Sequence, residues 1–268
     1  MKNAGRNFEL KAGIVLCILV LGLTLTGLFY QPYDYNEMDS TNRFNSPSFR
    51  NFLGTDNFGR DIFSRIMRGA RHTLLTALLT VAGSAFIGSV LGLLSGYVKG
   101  MFDEVIMRIM DTLSSFPGIL LALVMISLMG NSPGTLVLAL LILFIPSFAR
   151  IMRNGMLQHE GKEFILSARI MGVSRIRIIF FHIMPNLVSP LLSASVLGLS
   201  NAILAESTMS YLGLGIQPPN PSWGRMLSES QTFLFNAPWC AFAPGIMIML
   251  TVLGFHYLGE GLRKRSGY

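Results

Sequence analysis

An all-α integral membrane protein with six transmembrane helices is the fold class this sequence predicts, and three observations predict it. Of the 268 residues, 51% are hydrophobic and only 13% are charged, with a mean hydropathy of +0.53. Such apolar content exceeds what a soluble domain can bury. The apolar residues also fall into runs near the roughly 20 residues that cross a bilayer, separated by short basic clusters. Finally, no stretch carries a sheet signal, and helices satisfy every backbone group within one segment. The net charge of +7 sits in those clusters, as in proteins that fix their orientation in a bilayer. No nucleic acid is expected as a partner.

The first span is read over residues 12–30. Lys2, Arg6 and Lys11 give it the basic flank of a signal peptide, yet it is long enough to span and no small-residue cleavage pattern follows. It is read as a retained helix, so residues 1–30 comprise the N-terminus and first span. Residues 31–72 form an extracytoplasmic segment, 73–258 the transmembrane core, and 259–268 a tail. Within the core the spans are read at 73–98, 112–129, 135–151, 187–209 and 237–258. The second carries Thr80, Ser84, Gly88, Gly92 and Gly96 at four-residue spacing, a small-residue face for close helix packing. Gly130-Asn131-Ser132-Pro133-Gly134 makes a tight hairpin between the third and fourth.

Lys and Arg counts place both termini in the cytoplasm. That puts Arg150, Arg153, Lys162, Arg169, Arg175 and Arg177 inside, against Arg225 alone in the last outer loop. Arg60, Arg65, Arg68 and Arg71 run against the rule, partly offset by Asp56 and Asp61. Cys17 and Cys240 then lie near opposite membrane faces, too far apart for a disulfide.

Residues 150–185 are a polar island. Lys162 to Met171 has helical spacing, Gly172 supplies a stop, Ser174 can cap a second helix through Phe181, and Pro185 restarts the chain into the fifth span. A helix lying on lipid head groups would share part of this pattern. Gly155 to Lys162 only imitates a phosphate-binding loop, with five residues between its glycines where four are required. Ser132 imitates a nucleophile elbow, but Pro133 has no amide hydrogen for an oxyanion. His72, His159, His182 and His256 have neither i, i+4 spacing nor a Cys partner, so no metal site is expected. Asp111 and Glu206 are the acids at membrane depth, where a charge faces a cavity, a partner or the interface. Asp111 precedes Ser114-Ser115-Phe116-Pro117, where Pro117 frees a backbone carbonyl; Glu206 is expected to bond to the neighbouring loop.

The island resembles the cytoplasmic EAA loop of ABC importer permeases, whose pattern is Glu-Ala-Ala, three residues, Gly, nine residues, Ile-x-Leu-Pro. Ala168, Gly172 and Pro185 match in register; Leu166 replaces the Glu, Ser167 the first Ala, His182 the Ile and Met184 the Leu. Leu53-Gly54-Thr55-Asp56, Gly59-Arg60-Asp61, Ser64-Arg65 and Gly69-Ala70-Arg71 resemble the C-type permease of dipeptide, oligopeptide and nickel importers. So do Ile203-Leu204-Ala205-Glu206, Tyr211-Leu212-Gly213-Leu214-Gly215, Pro218-Pro219 and Pro221-Ser222-Trp223-Gly224.

The resemblance implies an ABC type I importer permease fold and no enzymatic activity in this chain, which would move a small hydrophilic solute inward. The implied solutes are a peptide or a nickel or other metal chelate. Implied partners are a second homologous permease, two cytoplasmic ATPase subunits that bind the ATP and Mg, an extracytoplasmic substrate-binding protein, and membrane lipid. It assigns ATPase coupling to Glu163, Ser167, Ala168, Gly172, Val173 and Pro185, with Ser167, Ala168 and Gly172 at the centre. Asp111, Pro117 and Glu206 remain as translocation-path or structural intramembrane positions.

Overall fold

The computed structural model describes residues 2–266, with side chains from 8 to 265. Lys2 and Arg6 of the N-terminal basic cluster therefore lie outside the described side chains. Ten α-helices follow in order: α1 (Lys2–Phe29), α2 (Ile62–Val98), α3 (Gly100–Ser115), α4 (Gly118–Met129), α5 (Pro133–Glu160), α6 (Glu163–Ile170), α7 (Arg175–Ile178), α8 (Met184–Tyr211), α9 (Trp223–Ser230) and α10 (Trp239–Ser266). Among the described residues there is no strand, only an isolated bridge between Thr55 and Asp61. Five helical segments are long and apolar enough to cross a membrane, and α3 with α4 makes a sixth if that bent pair is one span.

Several boundaries differ from the hydropathy reading. The third span, expected as one helix over 112–129, is broken, with α3 and α4 meeting at 92°. Pro117 cannot donate a helical hydrogen bond and pushes its predecessor into extended backbone, so Phe116 adopts ψ 131° and α3 ends at Ser115. α2 begins at Ile62 rather than residue 73. The Asp61 carboxylate caps it, accepting the Ser64 amide and hydroxyl, both at 2.8 Å. α5 continues nine residues past Ile151 to Glu160, so nearly a third of the polar island is helix extension. α10 runs through Ser266, which makes the expected tail the last turns of a helix. Pro185 stands in the first turn of α8, as expected for a proline at a helix start, but the chain does not break before it: a π-helical turn over Ile179–Ile183 joins α7 to α8.

The small-residue face of α2 packs against α5. A Cβ on Gly92 would stand 2.2 Å from the Ala149 carbonyl oxygen, and one on Gly88 2.8 Å from that of Ile145. The Ser84 hydroxyl donates across the seam to the Leu141 carbonyl at 2.9 Å. At Gly88 and Gly92 the backbones are too close for any side chain, and the rest of the seam takes small residues such as Ser84. α1 runs antiparallel to α10, with Gly13 against Leu258, Cys17 against Gly254 and Leu10 against Gly261. Cys17 and Cys240 are both free and buried; since Cys17 sits level with Gly254, fourteen residues along α10 separate them, about 21 Å at 1.5 Å per residue.

Candidate functional site

The loop between α5 and α8 is built as a small rigid knob. Gly161 turns the chain out of α5, and Glu163 begins α6, where its charge meets the positive end of the helix. At the other end the Gly172 amide bonds to the Arg169 carbonyl at 3.0 Å and the Val173 amide to the Ala168 carbonyl at 3.1 Å. Gly172 has φ +75°, so the helix closes with a complete Schellman motif, including the apolar contact of Val173 with the layer that holds Ala168. Ser174 stands at the N-cap position of α7 but makes no side-chain capping bond.

α6 turns Ile165 and Ala168 inward, 0% and 2% exposed, onto Met152 and Met156 of α5, Ile178 and Ile183 of the following turns, and Leu187 of α8. Its outward face carries Ser167, whose hydroxyl folds back to the Glu163 carbonyl at 2.9 Å. Next to it stand Ile170, 87% exposed, and Met171, 74% exposed, then Gly172 with open space where a Cβ would be. Ala168 is thus an internal packing residue of this chain, and the exposed surface is formed by its neighbours. Pro185 lies inside the continuous α7–α8 segment rather than on this surface.

Ion pairs tie the knob to the helix ends above it. Glu160 of α5 holds Lys99 at 2.5 Å and Arg169 of α6 at 2.6 Å. Two turns earlier, Arg153 grips both oxygens of Asp103 on α3 at 2.6 Å, and the Ser95 hydroxyl donates to the same carboxylate. A planar guanidinium on a carboxylate in this geometry fixes relative orientation as well as distance. Hydropathy and motif spacing missed Glu160, Asp103 and Arg153, because the partners lie nine and fifty residues apart in the chain.

At the α3–α4 elbow, Asp111 pairs with Arg150 of α5 at 3.1 Å, and Arg150 also donates to the Ser114 hydroxyl at 3.0 Å. The pair is exposed, its side chains 72% and 41% accessible. Pro117 opens the bend immediately beyond. Ser132, dismissed as a nucleophile, accepts the Thr135 amide at 3.1 Å and caps α5. His159 is buried, its Nδ1 2.8 Å from the Gly155 carbonyl.

Glu206 is fully buried in α8. It accepts the Ser210 hydroxyl at 2.7 Å and lies within reach of Ser207, Thr73 of α2 and Ser222 ahead of α9. Gly224 follows, so close that a Cβ would stand 2.2 Å from the Ser207 carbonyl. Glu206 therefore joins α8, α2 and the loop before α9.

Two of the four arginines that disturbed the charge count, Arg60 and Arg65, form a second buried group. Asp56 takes Arg60 at 2.7 Å and Arg65 at 2.5 Å, while Glu229 of α9 takes Arg65 at 3.0 Å, Arg60 at 3.3 Å and Arg225 at 3.2 Å. Arg68 stacks over the Tyr35 ring at 5.1 Å. Asp61 is occupied as the cap of α2.

Residues 88–267 match the family described as binding-protein-dependent transport system inner membrane component. The dipeptide transport system permease protein DppC of Alkalihalophilus pseudofirmus is 40% identical over 256 residues, covering 94% of this chain and 84% of that one. The glutathione transport system permease protein GsiD of Pectobacterium atrosepticum is 41% identical over 247 residues, covering 92% and 82%. In fold, the chain matches one from an inward-facing MetNI methionine ABC transporter, with TM-score 0.57 and 19% identity over 75% of this chain and 96% of that one.

Proposed function

This chain belongs to the inner membrane components of binding-protein-dependent transport systems, and from that premise we propose that it carries small peptides, among them dipeptides or glutathione, across its half of a two-permease path. It is a multi-pass permease subunit of an ABC importer and not an enzyme. Two relatives are named for dipeptide and glutathione transport, which favours a peptide cargo over a nickel chelate.

The observation that carries the mechanism is the rigid seating of α6. Because Ile165 and Ala168 lock it to the ends of α5 and α8, and Glu160 ties it to Lys99, a push on α6 is delivered to three spans together. In this reading α6 is the coupling helix of the EAA loop and faces the cytoplasm, as do both termini. Ser167 and Gly172 meet the ATPase, flanked by Ile170 and Met171; Glu163 and Val173 hold the two ends of α6, Ala168 anchors it, and Pro185 stands in the first turn of α8, just past the π turn. Asp111 and Pro117 line the path beside a second, homologous permease, since a paired charge exposed at the end of a span is costly against lipid. Glu206 is structural. ATP and Mg stay with two separate ATPase subunits, and an extracytoplasmic binding protein delivers the solute.

The test is purification of the tagged chain from native membrane, followed by reconstitution in lipid. Copurification of a second permease and an ATPase, with uptake of dipeptide but not of a nickel chelate, is expected. Uptake of the chelate alone would overturn the peptide assignment, and robust ATP hydrolysis by the chain free of partners would overturn the whole reading.

A further inference from the structure

On the face opposite α6, three guanidinium groups share two carboxylates. Arg60 and Arg65 are 5% and 3% exposed and the Arg225 side chain is 25% exposed, so the group carries one positive charge in excess with two of its three cations held away from water, where an unpaired charge is expensive. Both acids are heavily engaged, Asp56 through four hydrogen bonds and Glu229 through three. The second Asp56 oxygen accepts the Phe58 and Arg60 amides at 2.8 and 3.0 Å, and Glu229 divides its oxygens among Arg225, Arg60 and Arg65. The Nε–H of buried Arg65 has no partner. Burial, and then the charge of Arg65, pushes the Arg60 pKa below its ordinary value, as expected where one anion too few is present.

This group opens onto a groove. Arg60, Arg225 and Glu229 are the charged residues lining it, among Phe58, Phe233, Asn57 and the Pro218-Pro219 turn. A smaller cavity containing Arg65 adjoins it, sharing Asn57, Glu229 and Phe233.

We propose that this groove is a carboxylate-binding site in which Arg225 and Arg60 receive an Asp or Glu side chain of the extracytoplasmic binding protein. The inference rests on the orientation and partner proposed above. The groove is open, its lining holds Arg60 and Arg225 against Glu229 alone, and the group beneath it lacks one negative charge. A docked carboxylate supplies that charge with bidentate geometry.

Opposite signs from two neighbouring substitutions provide the test. Arg225→Gln removes a cationic donor for the incoming carboxylate, whereas Glu229→Gln removes a carboxylate that competes with it. In the assembled complex in lipid nanodiscs, ATPase stimulation is titrated with the purified, peptide-loaded binding protein at several salt concentrations. Arg225→Gln should raise the half-stimulating concentration about tenfold and flatten its salt dependence; Glu229→Gln should lower it. Melting temperature and subunit abundance are followed in parallel, because a purely structural role would weaken docking in both variants. A shift in the same direction for both, or in neither, overturns the proposal. So does a change in peptide KM at saturating binding protein that vanishes when the peptide C-terminus is amidated, since the carboxylate would then be the cargo's. If the wild-type complex is not stimulated by binding protein at all, the partner reading fails and not merely this site.

Discussion

Replacing Gly172 separates backbone strain from contact with a partner. Its φ of +75° lies in the left-handed region, which costs a residue with a Cβ about 1–2 kcal/mol. Within this chain that is the whole penalty, because nothing lies within 4 Å of the Cβ position. A loss of that size shifts the balance between a closed and an opened Schellman turn roughly 5- to 30-fold. Gly172→Ala and Gly172→Leu carry the same strain, whereas Gly172→Asn largely avoids it. Only Leu adds bulk to the outward face beside Ile170 and Met171. Uptake and substrate-stimulated ATPase activity are measured in the assembled complex, together with the amount of subunit in the membrane. Insertion depends on the spans, so abundance should be normal in all three. Asn should couple nearly as wild type, Ala should lose several-fold, and Leu should lose at least about tenfold more than Ala, the equivalent of 1.4 kcal/mol. Equal losses for Ala and Leu would mean that the turn matters but the surface does not. Normal coupling by Leu at normal abundance would refute α6 as a docking helix.

Other expectations follow from packing. Gly92→Ala places a Cβ 2.2 Å from a backbone carbonyl of α5 and should destabilise the subunit by about 1–3 kcal/mol, seen as a lower melting temperature in detergent; Gly83→Ala meets only the flexible tip of Leu141 at 2.5 Å and should melt near wild type. Glu206→Ala strands the Ser210 hydroxyl and its neighbours in a buried site, at about 1–3 kcal/mol for each group left unsatisfied. Glu206→Gln should cost less, and an alanine variant as stable as wild type would show the carboxylate to be dispensable. Cys17 and Cys240 should never pair, so any mobility shift on reduction that disappears when either is replaced would contradict the packing of α1 on α10.

Much of the architecture can be read along the chain because its causes are local. Apolar runs of bilayer length, the small-residue face of α2, the Gly172 stop and the break that Pro117 imposes all depend on residues a few positions apart, and each has a visible signature. Boundaries are less legible where polarity and helicity disagree. α2 reaches back over Arg65 and Arg68, and α5 forward over Arg153 and Glu160, because tertiary partners neutralise charges that hydropathy counts against a helix. Site residues divide in the same way. Val173 and Gly172 close α6 by local bonds, and the motif register shows them. Which face of α6 points outward does not follow from that register, and Ala168 proves to be turned inward. The pairing of Asp103 with Arg153, of Glu160 with Arg169, of Asp56 with Arg65 and of Glu229 with Arg60 and Arg65 was decided by the fold alone, whereas Asp56 with Arg60 and Arg225 with Glu229 are local i, i+4 pairs. Ion pairs across nine to 169 residues arise when helices dock, and nothing in the intervening chain encodes which charges will meet.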